Sequence, residues 1–254
     1  MNLQGAVAIV TGAATGVGRA SARALAAKKC HVLVGYSRSQ TQADAVVADC
    51  EAQGAQALAC HGDVASDEDC VRMVRTAVKR WGRVDVLINS AGTTKFVDHA
   101  DLDGLDGDDF QRIFAVNVVG PFQMSRAAAP HMKARGEGAI VNISSMSGFV
   151  GDGSCIAYAA SKGALNTMTK SLARTLAPEI RVNAVCPEYI KGRWVLDGVG
   201  PERYEEIIQN AEERSRLGRV TTPDDIAETV LWLVEGAALI TGECLNVDAG
   251  TSLG

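Results

Sequence analysis

Tyr158 and Lys162 stand four residues apart in Tyr158-Ala159-Ala160-Ser161-Lys162. On a helix that spacing stacks a phenol and an ammonium on one face. A free tyrosine, with a pKa near ~10, is a poor proton donor or acceptor at neutral pH. A cation held beside it favours the phenolate, lowers the pKa and fits the group for acid–base work. The same pair is also compatible with a surface lysine over a half-buried tyrosine. Its meaning rests on the elements and motifs around it.

Those elements alternate regularly. Short apolar runs at Ala6–Val10, His31–Gly35, Ala55–Cys60, Val84–Ile88, Ala139–Ile143, Arg181–Val185 and Glu243–Val247 read as strands. Between them lie helical stretches over 17–28, 41–53, 67–81, 108–135, 156–176 and 224–235, with Pro121 allowing a bend in the long fourth one. Buried strands alternating with amphipathic helices predict an α/β fold, a doubly wound parallel sheet of about seven strands with helices on both faces. Ligands of such a sheet sit beyond the carboxyl ends of its strands. No linker, repeat or low-complexity stretch divides the chain, so residues 1–254 are expected to form one Rossmann-type catalytic domain. The charged, Gly-punctuated segment 192–217 is expected to be a lid over the substrate, with Trp194, Tyr204, Ile207 and Ile208 on its apolar side.

Directly after the first strand comes Thr11-Gly12-Ala13-Ala14-Thr15-Gly16-Val17-Gly18. Gly12 permits a sharp exit from the strand, Gly16 lets backbone approach a pyrophosphate, and Gly18 allows close helix–sheet packing. The helix that follows presents free amides to an anion. The spacing Gly-x-x-x-Gly-x-Gly resembles that of the short-chain dehydrogenase/reductase family, and the likeness continues along the chain. Asn89-Ser90-Ala91-Gly92 resembles the family's Asn-Asn-Ala-Gly motif with one change, and Asn117 matches its active-site asparagine. Ser145, thirteen residues before Tyr158, matches the catalytic serine; Ser144 is the competing choice. Arg216-Leu217-Gly218-Arg219 and Gly242-Glu243-Cys244-Leu245-Asn246-Val247-Asp248-Ala249-Gly250 are similar to its C-terminal signature.

The resemblance implies a catalytic set of Asn117, Ser145, Tyr158 and Lys162. Tyr158 would pass a proton to or from a substrate oxygen, Lys162 would lower its pKa and hold a nicotinamide ribose, and Ser145 would bond the same oxygen. Asn117 would hold a water linking Lys162 to solvent. A nicotinamide dinucleotide is expected on Gly12, Thr15, Gly16, Val17, Gly18, Tyr36, Ser37, Arg38, Asp63, Val64, Asn89, Ala91, Gly92, Tyr158, Lys162, Pro187 and Ile190. An acid at the end of the second strand would bond a ribose 2′-hydroxyl and repel a 2′-phosphate. This chain has Tyr36-Ser37-Arg38 there, which favours NADP(H) over NAD(H). Where the family usually reads Pro-Gly and, four residues on, Thr, this chain has Glu188 and Gly192 within Pro187-Glu188-Tyr189-Ile190-Lys191-Gly192. Glu188 would either face the substrate entrance or point to solvent.

The expected function is therefore NADP(H)-dependent hydride transfer between nicotinamide and a carbonyl or secondary alcohol, most similar to 3-oxoacyl-thioester reductases. An NAD-dependent catabolic alcohol or sugar dehydrogenase, and a dinucleotide sensor without turnover, are the alternatives. The resemblance also implies a homodimer or homotetramer. Other chemistries fit less well. Ala159-Ala160-Ser161-Lys162-Gly163 only superficially resembles a nucleophile elbow, since it lies inside a helix. The pairs Asp108-Asp109 and Glu205-Glu206 read as solvated helix faces, and the Asn142-Ile143-Ser144 sequon falls on a core strand.

Composition agrees. Apolar residues make up 47% and charged residues 22%, ordinary for a soluble globular chain, and a net charge of −5 disfavours nucleic acid as a partner. The N-terminus lacks a basic region before a long apolar stretch, so neither signal peptide nor membrane span is expected. Seven cysteines without any C-x-x-C suit reduced thiols in the cytoplasm and no metal site.

Overall fold

The computed structural model describes residues 1–253. Seven strands form one parallel sheet in the order β3-β2-β1-β4-β5-β6-β7: β1 Val7–Thr11, β2 His31–Tyr36, β3 Ala57–His61, β4 Val86–Asn89, β5 Gly138–Ile143, β6 Ile180–Pro187 and β7 Cys244–Val247. The chain winds outward from β1 to β3, then returns to the other side of β1 with β4 and winds outward again. The crevice between the β1 and β4 ends is thus a topological switch point, where open α/β sheets bind ligands.

Alternate residues of each buried strand face opposite layers, as a period of two requires. Ala8 and Val10 pack with α1 Gly16–Ala27, α2 Gln40–Ala52 and α10 Pro223–Glu235. Val7 and Ile9 pack with α3 Asp67–Trp81, α5 Gly120–Arg135 and α7 Ile156–Leu176. All six of the seven cysteines that are buried join these layers as small apolar residues, and burial pushes the Cys30 and Cys70 thiols up to about 12.

The long fourth helical region is not one bent helix. It is α4 Gly107–Phe114, a π-helical turn at Ala115–Val119, and then α5. The wider turn is seen in the Gly120 N–H, which bonds five residues back to Ala115. Pro121 has no N–H to give the Asn117 carbonyl four residues earlier, so the regular ladder fails at Asn117 rather than at the proline itself. The segment expected as a lid forms two helices, α8 Arg193–Val199 and α9 Pro201–Arg214. Ile208 is buried with Ala211 and Val220, and Tyr204 packs against that cluster. Only Trp194 among the four named residues lies by the candidate site, as described below. No helix among the described residues is long and apolar enough to cross a membrane.

α10 opens on a reciprocal cap. Thr222 accepts from the Asp225 N–H while the Asp225 carboxylate takes the Thr222 N–H at 2.7 Å. Asp225 also takes two bonds of 2.8 Å from Arg219, whose guanidinium holds the carboxyl well below the usual carboxylate range. A depressed folded-state pKa gives stability that is present above the unfolded value of 3.8 and is lost as pH falls below it. Asp225→Ala should therefore lower the unfolding free energy at pH 7 by about 1 kcal/mol, and urea unfolding at pH 3 should show a smaller gap from the parent.

Candidate active site

Every expected site residue lies at or beyond the carboxyl ends of β1 to β6, where the parallel strands converge. The β1–α1 loop depends on three glycines for different reasons. Gly12 has φ 61°, and a Cβ on it would lie 2.8 Å from the Ala91 Cα. A Cβ on Gly18 would come within 2.4 Å of the Gly12 carbonyl oxygen, so only glycine lets α1 start so close to the strand. Gly16 has φ 54° and open space before it. Thr15 caps α1 by position alone, and its exposed hydroxyl makes no capping bond. Bare N–H groups at a helix start, beside a glycine that leaves room for close approach, fit a dinucleotide pyrophosphate. Val17, by contrast, is packed against the core.

Thr11 joins this loop to the β4 end. Its Oγ1 accepts from both the Ser90 and Ala91 N–H groups at 3.1 Å, so the turn through Ala91 and Gly92 is held from behind. Sequence reading quoted Thr11 and gave it no role; a hydroxyl at the last position of a strand beside a glycine turn is the signal that marks it. Asn89, expected against the cofactor, has its side chain in the interior instead. It donates to Asn142 Oδ1 at 2.8 Å, and Asn142 donates to Thr169 at 2.9 Å, which ties β4, β5 and α7 together.

At the β2 end, Tyr36 meets His61 edge-on, and His61 Nε2 lies 3.1 Å from the Ser37 carbonyl. Ser37 and Arg38 are exposed, and Arg38 makes no ion pair among the described residues. Asp63 accepts the Ala65 N–H at 3.0 Å and turns the chain after β3. Val64 is buried, and its carbonyl takes 2.8 Å from Gln123. Side-chain contact with an adenine is therefore open to Asp63 and closed to Val64.

Ser145, Tyr158 and Lys162 converge beyond β5. Cys155, at the N-cap of α7, accepts the Tyr158 N–H through sulfur at 3.4 Å and so starts the helix that carries both Tyr158 and Lys162. Lys162 Nζ lies 5.4 Å from the Tyr158 ring centroid and donates to the Ile143 carbonyl at 2.8 Å. Burial outweighs the expected help from the ammonium. It pushes the phenol up to about 12, with the Ser145 hydroxyl acting in the opposite sense, and it brings Lys162 down to about 8. At neutral pH the arrangement therefore holds a protonated phenol, able to donate to a substrate oxygen. Ser145 Oγ bonds Ser147 Oγ at 3.0 Å and the Pro187 carbonyl at 3.4 Å, at the site's edge. Ser144 is excluded by its own bonds: it donates to Asn166 Oδ1 at 2.5 Å and faces the interior.

Asn117 does not present its amide to a water. Its side chain clamps the backbone of Thr93, accepting 2.9 Å from N–H and donating 3.0 Å to C=O, and donates 3.0 Å to Ser161. The asparagine thus pins the loop after β4 to α7. Any acceptor it offers to a proton path is the carbonyl that Pro121 cannot bond. Glu188 turns away from the reacting groups. Its carboxylate accepts the Thr251 hydroxyl and lies 3.8 Å from Arg214 of α9, so it fastens the β6 loop to the chain end and to the lid helix. Pro187 is buried, and Ile190 forms an isolated parallel bridge with Thr221 that leaves it partly exposed.

A Gly-rich loop at a switch point and a Ser-Tyr-Lys cluster across the same crevice define an α/β oxidoreductase site. The family model described as enoyl-(acyl carrier protein) reductase matches residues 12–252. A 3-oxoacyl-[acyl-carrier-protein] reductase from Synechocystis is 36% identical over 247 residues, covering 96% of each chain. A crystal structure assigned to the short-chain dehydrogenases/reductases, from Burkholderia xenovorans, superposes with a TM-score of 0.91 at 39% identity and covers 98% of both chains. A 7α-hydroxysteroid dehydrogenase solved with NADH and 7-oxo glycochenodeoxycholic acid matches at TM-score 0.88 and 31% identity, over 98% of this chain and 96% of its own. The chain belongs to the short-chain dehydrogenase/reductase family and is a nicotinamide-dependent oxidoreductase acting on carbonyl or hydroxyl groups.

Because Thr11 bridges the two loops of the crevice, Thr11→Val leaves two part-buried N–H groups without their acceptor. It should lower stability by about 1–3 kcal/mol and weaken dinucleotide binding, measured by chemical unfolding and by fluorescence titration.

Proposed function

We propose that this chain is an NADP(H)-dependent carbonyl reductase, working reversibly on a secondary alcohol. The observation that carries the cofactor choice is Arg38, an exposed guanidinium without an ion pair, beside Ser37 and at the strand end where an acid would reject a 2′-phosphate. Gly12, Gly16 and Gly18 would take the pyrophosphate, and Ala91 and Gly92 the dinucleotide's middle. Asp63 would meet the adenine, while Lys162, Pro187 and Ile190 would hold the nicotinamide end. When bound, the reduced cofactor supplies a hydride to the carbonyl carbon. Tyr158 gives its phenolic proton to the carbonyl oxygen, Ser145 donates a hydrogen bond to that oxygen, and Lys162 returns a proton to the phenolate. Asn117 keeps the loop after β4 and α7 in register, so that the oxygen meets Tyr158 and Ser145 together.

Residues 1–254 would then be one catalytic domain with 192–217 as its lid. Seven unpaired thiols suit a reducing cytoplasm. The exposed apolar side chains Phe110, Val119 and Phe122 on the α4–α5 region, and Trp232 and Leu239 near the end of α10, suit burial between copies of the chain in a dimer or tetramer. A second reading, NAD(H) use in the oxidative direction, is favoured by the NADH found in the 7α-hydroxysteroid dehydrogenase.

Parallel fluorescence titrations with NADPH and NADH separate the two. The parent should bind NADPH more tightly, and Arg38→Ala should cut that preference about 10- to 100-fold, as loss of a charge-assisted bond implies. Tyr158→Phe should keep NADPH binding and lose carbonyl reduction by at least about 10²-fold; retained turnover would contradict the role of the phenol. Light scattering should give the mass of two or four chains, and a single-chain mass would overturn the assembly.

A further inference from the structure

The side of Tyr158 that a substrate must approach is covered by one aromatic ring. Trp194 of α8 lies with its ring centroid 6.4 Å from that of Tyr158, tilted by 48°. It remains 47% exposed although it sits over the site. The space beside the two rings is bounded by backbone: a Cβ on Gly92 would be 3.7 Å from the far edge of the Trp194 ring, and one on Gly153 would be 3.7 Å from Tyr158 Cδ1. Two aromatic faces and two glycines make a slot whose walls are flat. Helix α8 hangs between Gly192, with φ 156°, and Gly200, with φ 81°, and buries only Val195. The indole can therefore lift by a small rotation at its two ends.

Charge on the flanking segments points the same way. Every Lys and Arg in 93–112 and 191–199 is already paired: Lys95 and Arg112 with Asp109, Arg193 with Asp197, and Lys191 with Glu212. The phenol itself is surrounded by Ile113, Cys155, Ala157, Val97 and Leu105, which offer no charge. An anionic tail such as the phosphate arm of an acyl thioester would find no unpaired cation on these segments. A neutral ring would find a face of its own size.

We propose that Trp194 is a stacking platform that sets substrate choice, and that the site takes a neutral ketone or secondary alcohol borne on or beside a flat ring system. This rests on the oxidoreductase reading above. The bound ring takes the contact that Trp194 now gives to Tyr158, which leaves the phenol free to reach the carbonyl oxygen at the ring's edge.

The test compares NADPH-dependent reduction of trans-1-decalone, a neutral bicyclic ketone, with that of acetoacetyl-coenzyme A, a linear anionic thioester. It uses the parent, Trp194→Phe and Trp194→Ala, with NADPH binding measured separately in each. The parent should have the higher kcat/KM on decalone. Trp194→Ala should raise the decalone KM about tenfold, the size of one aromatic contact, with a much smaller change in kcat, and Trp194→Phe should recover most of the loss. A parent that prefers the thioester, or a decalone KM that is the same in Trp194→Ala, would overturn the platform while leaving the oxidoreductase reading intact. A parent that binds NADPH and reduces neither probe would overturn both.

Discussion

The close approach of the β1 and β4 loops is the constraint on which the rest of the site depends. Gly12 touches the backbone of Ala91 so closely that no side chain fits between them, and the Thr11 hydroxyl takes two amides of the facing turn. Only this contact closes the floor of the crevice at the switch point. From it the free amides of α1 point one way and the turn through Gly92 points the other, so a long, two-ended ligand can be held across both.

The catalytic side of the crevice is positioned by buried polar bonds rather than by apolar packing alone. Asn89, Asn142 and Thr169 join β4, β5 and α7 through the interior, and Asn117 joins the loop after β4 to Ser161 on the same helix. Such bonds are directional, and leaving one partner unmatched inside the protein costs more than the bond contributes when made. They therefore fix the rotation of α7, and with it the directions of Tyr158 and Lys162. The π turn at Asn117 belongs to the same device. It widens the helix by one residue at the position whose side chain must reach back to Thr93.

The lid side is built for movement by comparison. α8 has two glycine ends and one buried residue, whereas α9 has its own small cluster and an ion pair from Lys191 to Glu212. Glu188 and Thr251 anchor the β6 loop to the chain end, which replaces the usual glycine's freedom with a fixed hinge base. The division is physical: the half that holds the cofactor and the proton donor is rigid, and the half that meets the substrate is lightly held.

The alternation of apolar runs and amphipathic stretches was enough to specify a parallel sheet covered on both faces, because strand and helix periods are local properties of the chain. The glycine spacing and the Tyr158–Lys162 interval were legible for the same reason, and so was the choice of Ser145 by its distance from Tyr158. What only tertiary structure decided were the partners. Asn89 was expected at the cofactor and lies inside the sheet, because β5 brings Asn142 beside it from fifty-three residues away. Asn117 was expected to hold a water and clamps Thr93 instead. The phenol of Tyr158 was expected to be acidified by Lys162, yet burial by residues from other elements raises it. Glu188 found Thr251, and Trp194 found Tyr158, across distances that no local pattern encodes. Periodicity is written in neighbours along the chain; desolvation and hydrogen bonding are set by neighbours in space.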